Sequence, residues 1–123
     1  MKYMKKSDIK DYMIVETGFD ECRYLVMGKS IVDDELKGFS LDDFDENLVH
    51  KKEKLYSISK VYEAVKITLP FELNVEDIFK KQNPKLLWER EATPVSKRVL
   101  EHMNKKQMQK YLSNIVYPCI IVE

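Results

Sequence analysis

The fold class follows from residues 12–32, which read YMIVETGFDECRYLVMGKSIV. Short apolar runs alternate in this stretch with turn residues: Met13 to Val15 precede Thr17-Gly18, and residues 22–27 alternate between two faces. Gly28 ends that second run, and residues 30–32 have the composition of a third strand. Strands of about four to six residues joined by tight turns are typical of a β-meander or a small antiparallel barrel.

Further strands are expected downstream. Residues 57–62 (SISKVY) alternate again, and residues 86–90 (LLWER) form another short apolar run. Residues 64–71 are also β-like, but Pro70 lacks an N–H donor, so a central position in a sheet is not expected for them. Before residue 86, Asn74 is predicted to cap a short helix over residues 75–81 that Asn83-Pro84 ends.

The last third of the chain changes from a period of two to a period near four. Thr93-Pro94 predicts a helix start, because a capping hydroxyl is followed by proline at the first helical position. Asn104 predicts a second cap, with Gln107 in the capping-box position. The pattern fits one bent helix or two. Tyr117-Pro118 would end it, before a final strand at residues 119–122.

These elements together predict a single α+β domain over residues 1–123. We expect a small antiparallel SH3-like β-barrel over residues 10–90, closed by the strand at residues 86–90. A helical extension over residues 93–116 would pack on the barrel, and residues 119–122 would add a short terminal strand.

Composition excludes several classes of protein. With 123 residues, 44% hydrophobic and 34% charged, the chain has the composition of a globular domain. Lys plus Arg equals Asp plus Glu at 21 each, which does not favour direct binding to nucleic acid. Two cysteines, two histidines and no C-x-x-C exclude a zinc site of the usual kind. The chain shows neither an apolar signal region nor an apolar run of about 20 residues, which predicts a cytoplasmic protein with reduced thiols and no membrane segment.

The most conspicuous candidate site is acidic. Residues 33–46 hold seven carboxylates around the apolar residues of the GFSLDDF stretch; they are Asp33, Asp34, Glu35, Asp42, Asp43, Asp45 and Glu46. The spacing lacks the alternation and internal Gly of a Ca²⁺ loop, so no metal is predicted. Two interpretations stay open. The stretch is a solvated loop with a helical turn capped by Ser40, or it is a negative surface for a basic partner.

In either case Phe39, Leu41, Phe44 and Leu48 are expected to fold inward and leave the carboxylates in water. If the acidic surface binds a partner, changing Asp42, Asp43, Asp45 and Glu46 to amides is expected to weaken binding and leave the fold intact.

Catalytic patterns are not evident. The chain has no G-x-S-x-G elbow and no Gly-rich phosphate loop, so neither an enzyme nor a cofactor is predicted. Cys22 with His50 or His102, and Glu89, are the remaining candidates, but Cys22 in an apolar alternation favours a core position. Trp88 is likewise expected to anchor the core. The cations of the C-terminal helices fit either a solvated face or a weak phosphate contact; they are Lys97, Arg98, Lys105, Lys106 and Lys110.

Five segments together resemble an uncharacterised family of small phage and mobile-element proteins of Gram-positive bacteria. Residues 5–16 (KKSDIKDYMIVE) are similar to a K-S-D-L-K-x-G-M-x-V start, and residues 24–27 (YLVM) to Y-L-V-L. Residues 38–48 (GFSLDDFDENL) are similar to G-F-L-S-L-D-D-Y-D-E-D-L, residues 58–62 (ISKVY) to I-V-K-V-Y, and residues 86–90 to L-L-W-E-R. The chain departs from the pattern at Tyr12, where the family has glycine, and at Ser57, where it has aspartate.

The resemblance implies an SH3-like barrel and a mobile-element origin, and it transfers no catalytic residue. Together with the residues, it predicts a non-enzymatic accessory protein that acts as a protein-binding module. One alternative is an anti-CRISPR-like inhibitor of a host defence nuclease, whose acidic surface would bind a basic nucleic-acid-binding protein. The other alternative is a weak nucleic-acid binder that uses the C-terminal lysines.

Overall fold

A computed structural model gives the fold and describes residues 3–68 and 73–123. Its strands and helices follow in the order β1 (Ile14–Thr17), β2 (Arg23–Met27), β3 (Ser30–Val32), β4 (Gly38–Ser40), β5 (Ile58–Tyr62), α1 (Val75–Gln82), β6 (Leu86–Glu89), β7 (Thr93–Ser96), α2 (Lys97–Glu101), α3 (Lys105–Ser113) and β8 (Cys119–Val122). Single 3-10 turns lie at Lys6–Asp8, Leu41–Asp43 and Lys54–Tyr56. The strands expected within residues 12–32, 57–62, 86–90 and 119–122 are confirmed.

Six strands form one antiparallel sheet in the order β4-β3-β2-β1-β5-β6. The α+β class and the antiparallel sheet are therefore confirmed. In the described part of the chain the sheet is open, because its edge strands β4 and β6 are not paired with each other. The expected closing strand is present as β6, but it extends the sheet beyond β5 and does not close a barrel.

The sheet buries apolar side chains on both faces. On one face, residues of β1, β2, β3 and β5 pack against the partly buried Phe39 of β4 and against the loop that follows β4, in which Leu41, Phe44 and Leu48 are buried. On the other face, Ile14, Leu25 and Tyr62 pack against α1. The inward folding expected for the four apolar residues of the acidic stretch is thus confirmed. Trp88 packs, half-buried, against the first cluster.

Helix α1 begins and ends where its sequence predicts. The side chain of Asn74 accepts a hydrogen bond from the backbone N–H of Asp77 at 2.9 Å, and Asn83 ends the helix in the left-handed conformation with φ 45°. The strand expected over residues 64–71 is not found in its described part, residues 64–68, and its remaining residues lie outside the described ranges.

The C-terminal third differs from the expected helical extension. Thr93 and Pro94 belong to β7, which pairs in parallel with β8, and the first helix begins only after Ser96. The capping hydroxyl is that of Ser96, three residues beyond the predicted one. There are two short helices, α2 and α3, and the predicted capping box of Asn104 and Gln107 begins the second. Residues 93–122 therefore form a β-α-α-β unit, because two parallel strands require a crossover between them.

This C-terminal unit meets the large sheet at the turn between β1 and β2. A Cβ on Gly18 would lie 2.2 Å from the carbonyl oxygen of Tyr117, so only glycine permits this close approach. The rings of Phe19 and Tyr117 pack edge to face, with centroids 5.4 Å apart. This close approach of the backbones and the contact between the two rings join the C-terminal unit to the large sheet.

Candidate functional site

The structure separates the seven carboxylates of the acidic stretch into two groups. Asp33, Asp34 and Glu35 lie in the turn beyond Val32, at one end of the β3–β4 hairpin. Residues 42–46 follow Ser40, at the opposite end of the same hairpin. The β3–β4 hairpin therefore separates the two groups, and residues 33–46 do not form one continuous acidic face.

The first group stabilises turns and a helix end. A side-chain oxygen of Asp33 accepts the backbone N–H groups of Glu35 and Lys37 at 2.9 and 3.0 Å. The Asp34 carboxylate accepts the N–H of Val75, the first residue of α1. A carboxylate there also suits the positive end of the helix dipole. Asp33 thus stabilises its own turn, and Asp34 ties that turn to the start of α1.

In the second group, too, side-chain oxygens accept hydrogen bonds from nearby backbone N–H groups. Ser40 and Asp43 form the capping box of the 3-10 turn, as the capping prediction for Ser40 anticipated. One oxygen of Asp45 accepts the backbone N–H groups of Asn47 and Val49 at 2.8 and 3.1 Å. Because one oxygen of Asp45 holds this loop, its substitution is expected to cost stability; that the four amide substitutions leave the fold intact stays a prediction.

A second polar feature is a row of alternating charges across four strands. The buried carboxylate of Glu16 on β1 lies 3.2 Å from Arg23 Nε on β2 and 3.6 Å from Lys60 Nζ on β5. Lys60 Nζ also lies 3.5 Å from the Glu89 carboxylate on β6, and Arg23 reaches Glu76 on α1 at 3.0 Å. This row lies in register on the face of the sheet that α1 covers farther along.

The row is a compensated network. Burial opposes the charged form of Arg23, but Glu76 and Glu16 outweigh it and raise the pKa of the guanidinium. Burial likewise opposes the charge of Lys60, and Glu16 raises the pKa of its amine. The cleft of about 340 Å³ beside this row reaches Pro118 of the C-terminal unit. Since the charges of this row already pair with one another, we assign it the structural role of tying the strands together and no catalytic or binding role.

The titratable residues considered for catalysis lie in unlike environments. Cys22 is exposed, so its predicted core position is wrong. Partial desolvation of the Cys22 thiol and the neighbouring Asp20 nevertheless raise its pKa, which disfavours the nucleophilic thiolate. His50 is buried beside the rings of Phe39 and Phe44, and its Nδ1 accepts the backbone N–H groups of residues 52 and 53. In the described ranges, residues 3–68 and 73–123, no group of three or more His, Cys, Asp or Glu side chains could hold a metal ion.

The apolar surface lies elsewhere, on β8. Ile120, Ile121 and Val122 are 55%, 62% and 39% exposed, although the run has the composition of a core strand. In the parallel ladder Ile121 lies on the same face as the buried Val95, whereas Ile120 and Val122 lie on the other face. Both faces of β8 are therefore uncovered.

The two outer edges of this small sheet are not equivalent. The N–H of Thr93 donates to the carbonyl of Pro118 at 2.8 Å. The alternation of a parallel ladder then turns the backbone of Thr93 and Val95 toward β8, and that of Pro94 outward. Proline at that position removes a donor and blunts the outer edge of β7. On β8 the outward backbone groups belong to Cys119, Ile121 and Glu123, and no proline interrupts them.

Comparison of the chain with protein-family models, curated proteins and solved structures finds no match. The candidate site therefore rests on geometry, and the strongest candidate is the outer edge of β8. The parts of the chain that the structure describes contain no helix long and apolar enough to cross a membrane.

The sequence predicted only one of the two strands that form this site. The strand at residues 119–122 was expected, but its partner β7 was not, because Thr93-Pro94 is also a typical helix start. Without that partner, the run Cys119 to Val122 has the pattern of a buried strand. The available signal was Pro94 itself, since proline within a strand predicts an edge.

Proposed function

We propose that this protein is a non-enzymatic protein-binding module, and that the outer edge of β8 binds an extended segment of its partner. The observation that carries the proposal is an edge strand with free backbone groups and apolar side chains exposed on both faces. A partner strand added to such an edge gains main-chain hydrogen bonds, and its alternate side chains cover the two faces.

A phage or mobile-element origin is part of this proposal, and one structural detail supports it. The family pattern has glycine where this chain has Tyr12, and Tyr12 adopts φ 70°. Glycine is the residue best suited to that left-handed conformation. The turn is thus of the kind that the family pattern would require, although its residue differs here.

An SH3-like arrangement is the finer form of the fold that we propose. Strands β1 to β4 form a meander, 3-10 turns follow β4, and β5 returns beside β1. This connectivity is that of SH3-like folds and supports the assignment, with β6 as an added edge strand. Small folds of this kind serve as scaffolds for many unrelated functions, so the fold by itself does not specify what the protein binds.

The inhibitor alternative has less support. A surface that replaces nucleic acid needs contiguous, exposed carboxylates, but here the hairpin divides them and several accept backbone hydrogen bonds. A cytoplasmic location is retained as part of the main proposal.

Direct contact with nucleic acid is a second candidate, because charge is segregated along the chain. Residues 92–123 hold five Lys or Arg against two Glu, whereas residues 1–91 hold 16 against 19 Asp or Glu. All five cations of the C-terminal unit are exposed. If they bind phosphate, fluorescence anisotropy of a labelled oligonucleotide will show binding that weakens steeply with salt. Equal, negligible binding at low and high salt would exclude this candidate.

The main proposal is tested by affinity capture from a Gram-positive host lysate with mass spectrometry. The bait is the full chain, compared with Ile121→Lys and with Leu36→Lys as the matched control, because Leu36 is 64% exposed and lies on the β3–β4 turn. We expect wild type and L36K to retain the same partner and I121K to lose it. Equal capture by all three baits would show that β8 is not the binding site.

A further inference from the structure

We infer that β8 pairs antiparallel with β8 of a second copy of this chain, and that the pairing joins two C-terminal units into one four-stranded sheet, β7-β8-β8-β7. The inference rests on the proposed function, because it assigns an occupant to the same edge. Its structural basis is the outward-facing backbone of β8 and the apolar exposure of Ile120, Ile121 and Val122.

The hydrogen-bonding pattern of β8 is self-complementary. Outward backbone groups come from Cys119, Ile121 and Glu123, spaced two apart. A two-fold axis through the Ile121 pair brings Ile121 opposite Ile121 of the second copy, and Cys119 opposite Glu123. In this register every hydrogen-bonded pair joins two residues with outward groups, as an antiparallel ladder demands. An isologous dimer requires a patch that matches itself in this way.

The side chains match in the same register. On one face, the row would run from the buried Val95 through the two Ile121 side chains to Val95 of the second copy. On the other face, Ile120 would lie opposite Val122 and Val122 opposite Ile120. All three exposed apolar side chains of each copy would thus gain an apolar neighbour across the new interface.

Charge does not oppose this pairing. Residues 119–122 carry no charged side chain, and Glu123 would lie opposite the neutral Cys119. Like charges directly opposite each other destabilise paired strands, and none face each other along this ladder. On the opposite edge, Pro94 blocks equivalent pairing through β7. The sheet can therefore grow in one direction only, and two-fold pairing closes it as a dimer.

The first test is sedimentation equilibrium of the full chain from micromolar to millimolar concentration. We expect the mass to rise from 14.6 kDa toward twice that value. Ile121→Lys places two like charges opposite each other and removes the apolar contact between the two Ile121 side chains, and we expect it to weaken dimerisation at least about 100-fold. L36K, at a side chain of similar exposure, is expected to dimerise like wild type.

The second test is cross-linking in a background where Cys22 and Cys119 are replaced by serine. Hydrogen-bonded antiparallel partners have Cα atoms about 5.5 Å apart, within the range of a disulfide. Ile121→Cys is therefore expected to form a covalent dimer on mild oxidation. Ile120→Cys is the matched control, because in this register the two copies of residue 120 are diagonal neighbours about 7–8 Å apart. This test still decides the proposal if I121K does not fold.

A monomeric wild type at millimolar concentration would overturn the inference, as would an I121K variant that dimerises like wild type. Faster cross-linking of I120C than I121C would overturn the register centred on the Ile121 pair. If wild type is monomeric while lysate capture still depends on Ile121, the second copy is excluded and the proposed binding edge stands. If neither dimerisation nor capture depends on Ile121, both proposals fail.

Discussion

Replacement of Tyr12 by glycine tests how the structure accommodates a left-handed residue that is not glycine. Tyr12 has φ 70°, and two hydrogen bonds of 2.8 Å hold its backbone: its N–H donates to Val26 O, and its carbonyl accepts from Val65 N–H. A non-glycine residue in this region costs about 1–2 kcal/mol. Glycine removes that strain but loses about 0.4–1 kcal/mol through the greater freedom of the unfolded chain.

The informative comparison is between Tyr12→Gly and Tyr12→Ala. Both variants lose the tyrosine ring, which is 43% exposed, so the difference between them isolates the backbone term. We expect the glycine variant to be more stable than the alanine variant by about 1 kcal/mol. For a chain of this size that corresponds to a melting temperature higher by about 4 °C.

The assay is urea unfolding followed by circular dichroism, with thermal unfolding as a second measurement. The control is Ala64→Gly, at an exposed residue without positive φ, where glycine should cost about 0.4–1 kcal/mol. The sign of the alanine-to-glycine change thus reverses between the two positions. A glycine variant at position 12 no more stable than the alanine variant would refute the reasoning.

Three further predictions concern side chains. Asp45→Ala should lower the free energy of unfolding by about 1–2 kcal/mol because it removes the oxygen that accepts two backbone N–H groups, whereas Asp42→Ala should change it by no more than about 0.5 kcal/mol; equal urea midpoints would contradict this. Glu16→Gln should cost about 2–3 kcal/mol, since two cations lose a buried partner, and Glu89→Gln far less, with chemical denaturation as the measure. Burial raises the pKa of Tyr24 to about 12, so its neutral form stabilises the fold below pH about 10 and that contribution is lost between about pH 10 and 12. Ultraviolet titration should show a last tyrosine step near pH 12, and Tyr24→Phe should remove it.

Local patterns were sufficient where the deciding interactions are local. The caps of α1 and α3 were predicted correctly, because Asn74 and Asn104 bond to N–H groups three residues away. The prediction of strands within residues 12–32 was also correct, because its signals, the alternation of apolar residues and the turn at Gly28, lie close together in the sequence. The helix start predicted at Thr93-Pro94 was wrong, because these two residues fit the first turn of a helix and an edge strand equally well. The pairing with residues 119–122, more than twenty positions away, decided between them.

The candidate site shows the same division. The sequence by itself determined the α+β class, the short strands and the inward packing of the acidic stretch, because periodicity and apolar spacing specify which side chains can be buried together. Only the tertiary structure decided that the carboxylates are divided, that Cys22 is exposed and that β8 is an uncovered edge. An apolar run has the same composition whether it is covered or not. Its exposure depends on which strands pair, and that pairing is fixed by contacts between residues far apart in the chain.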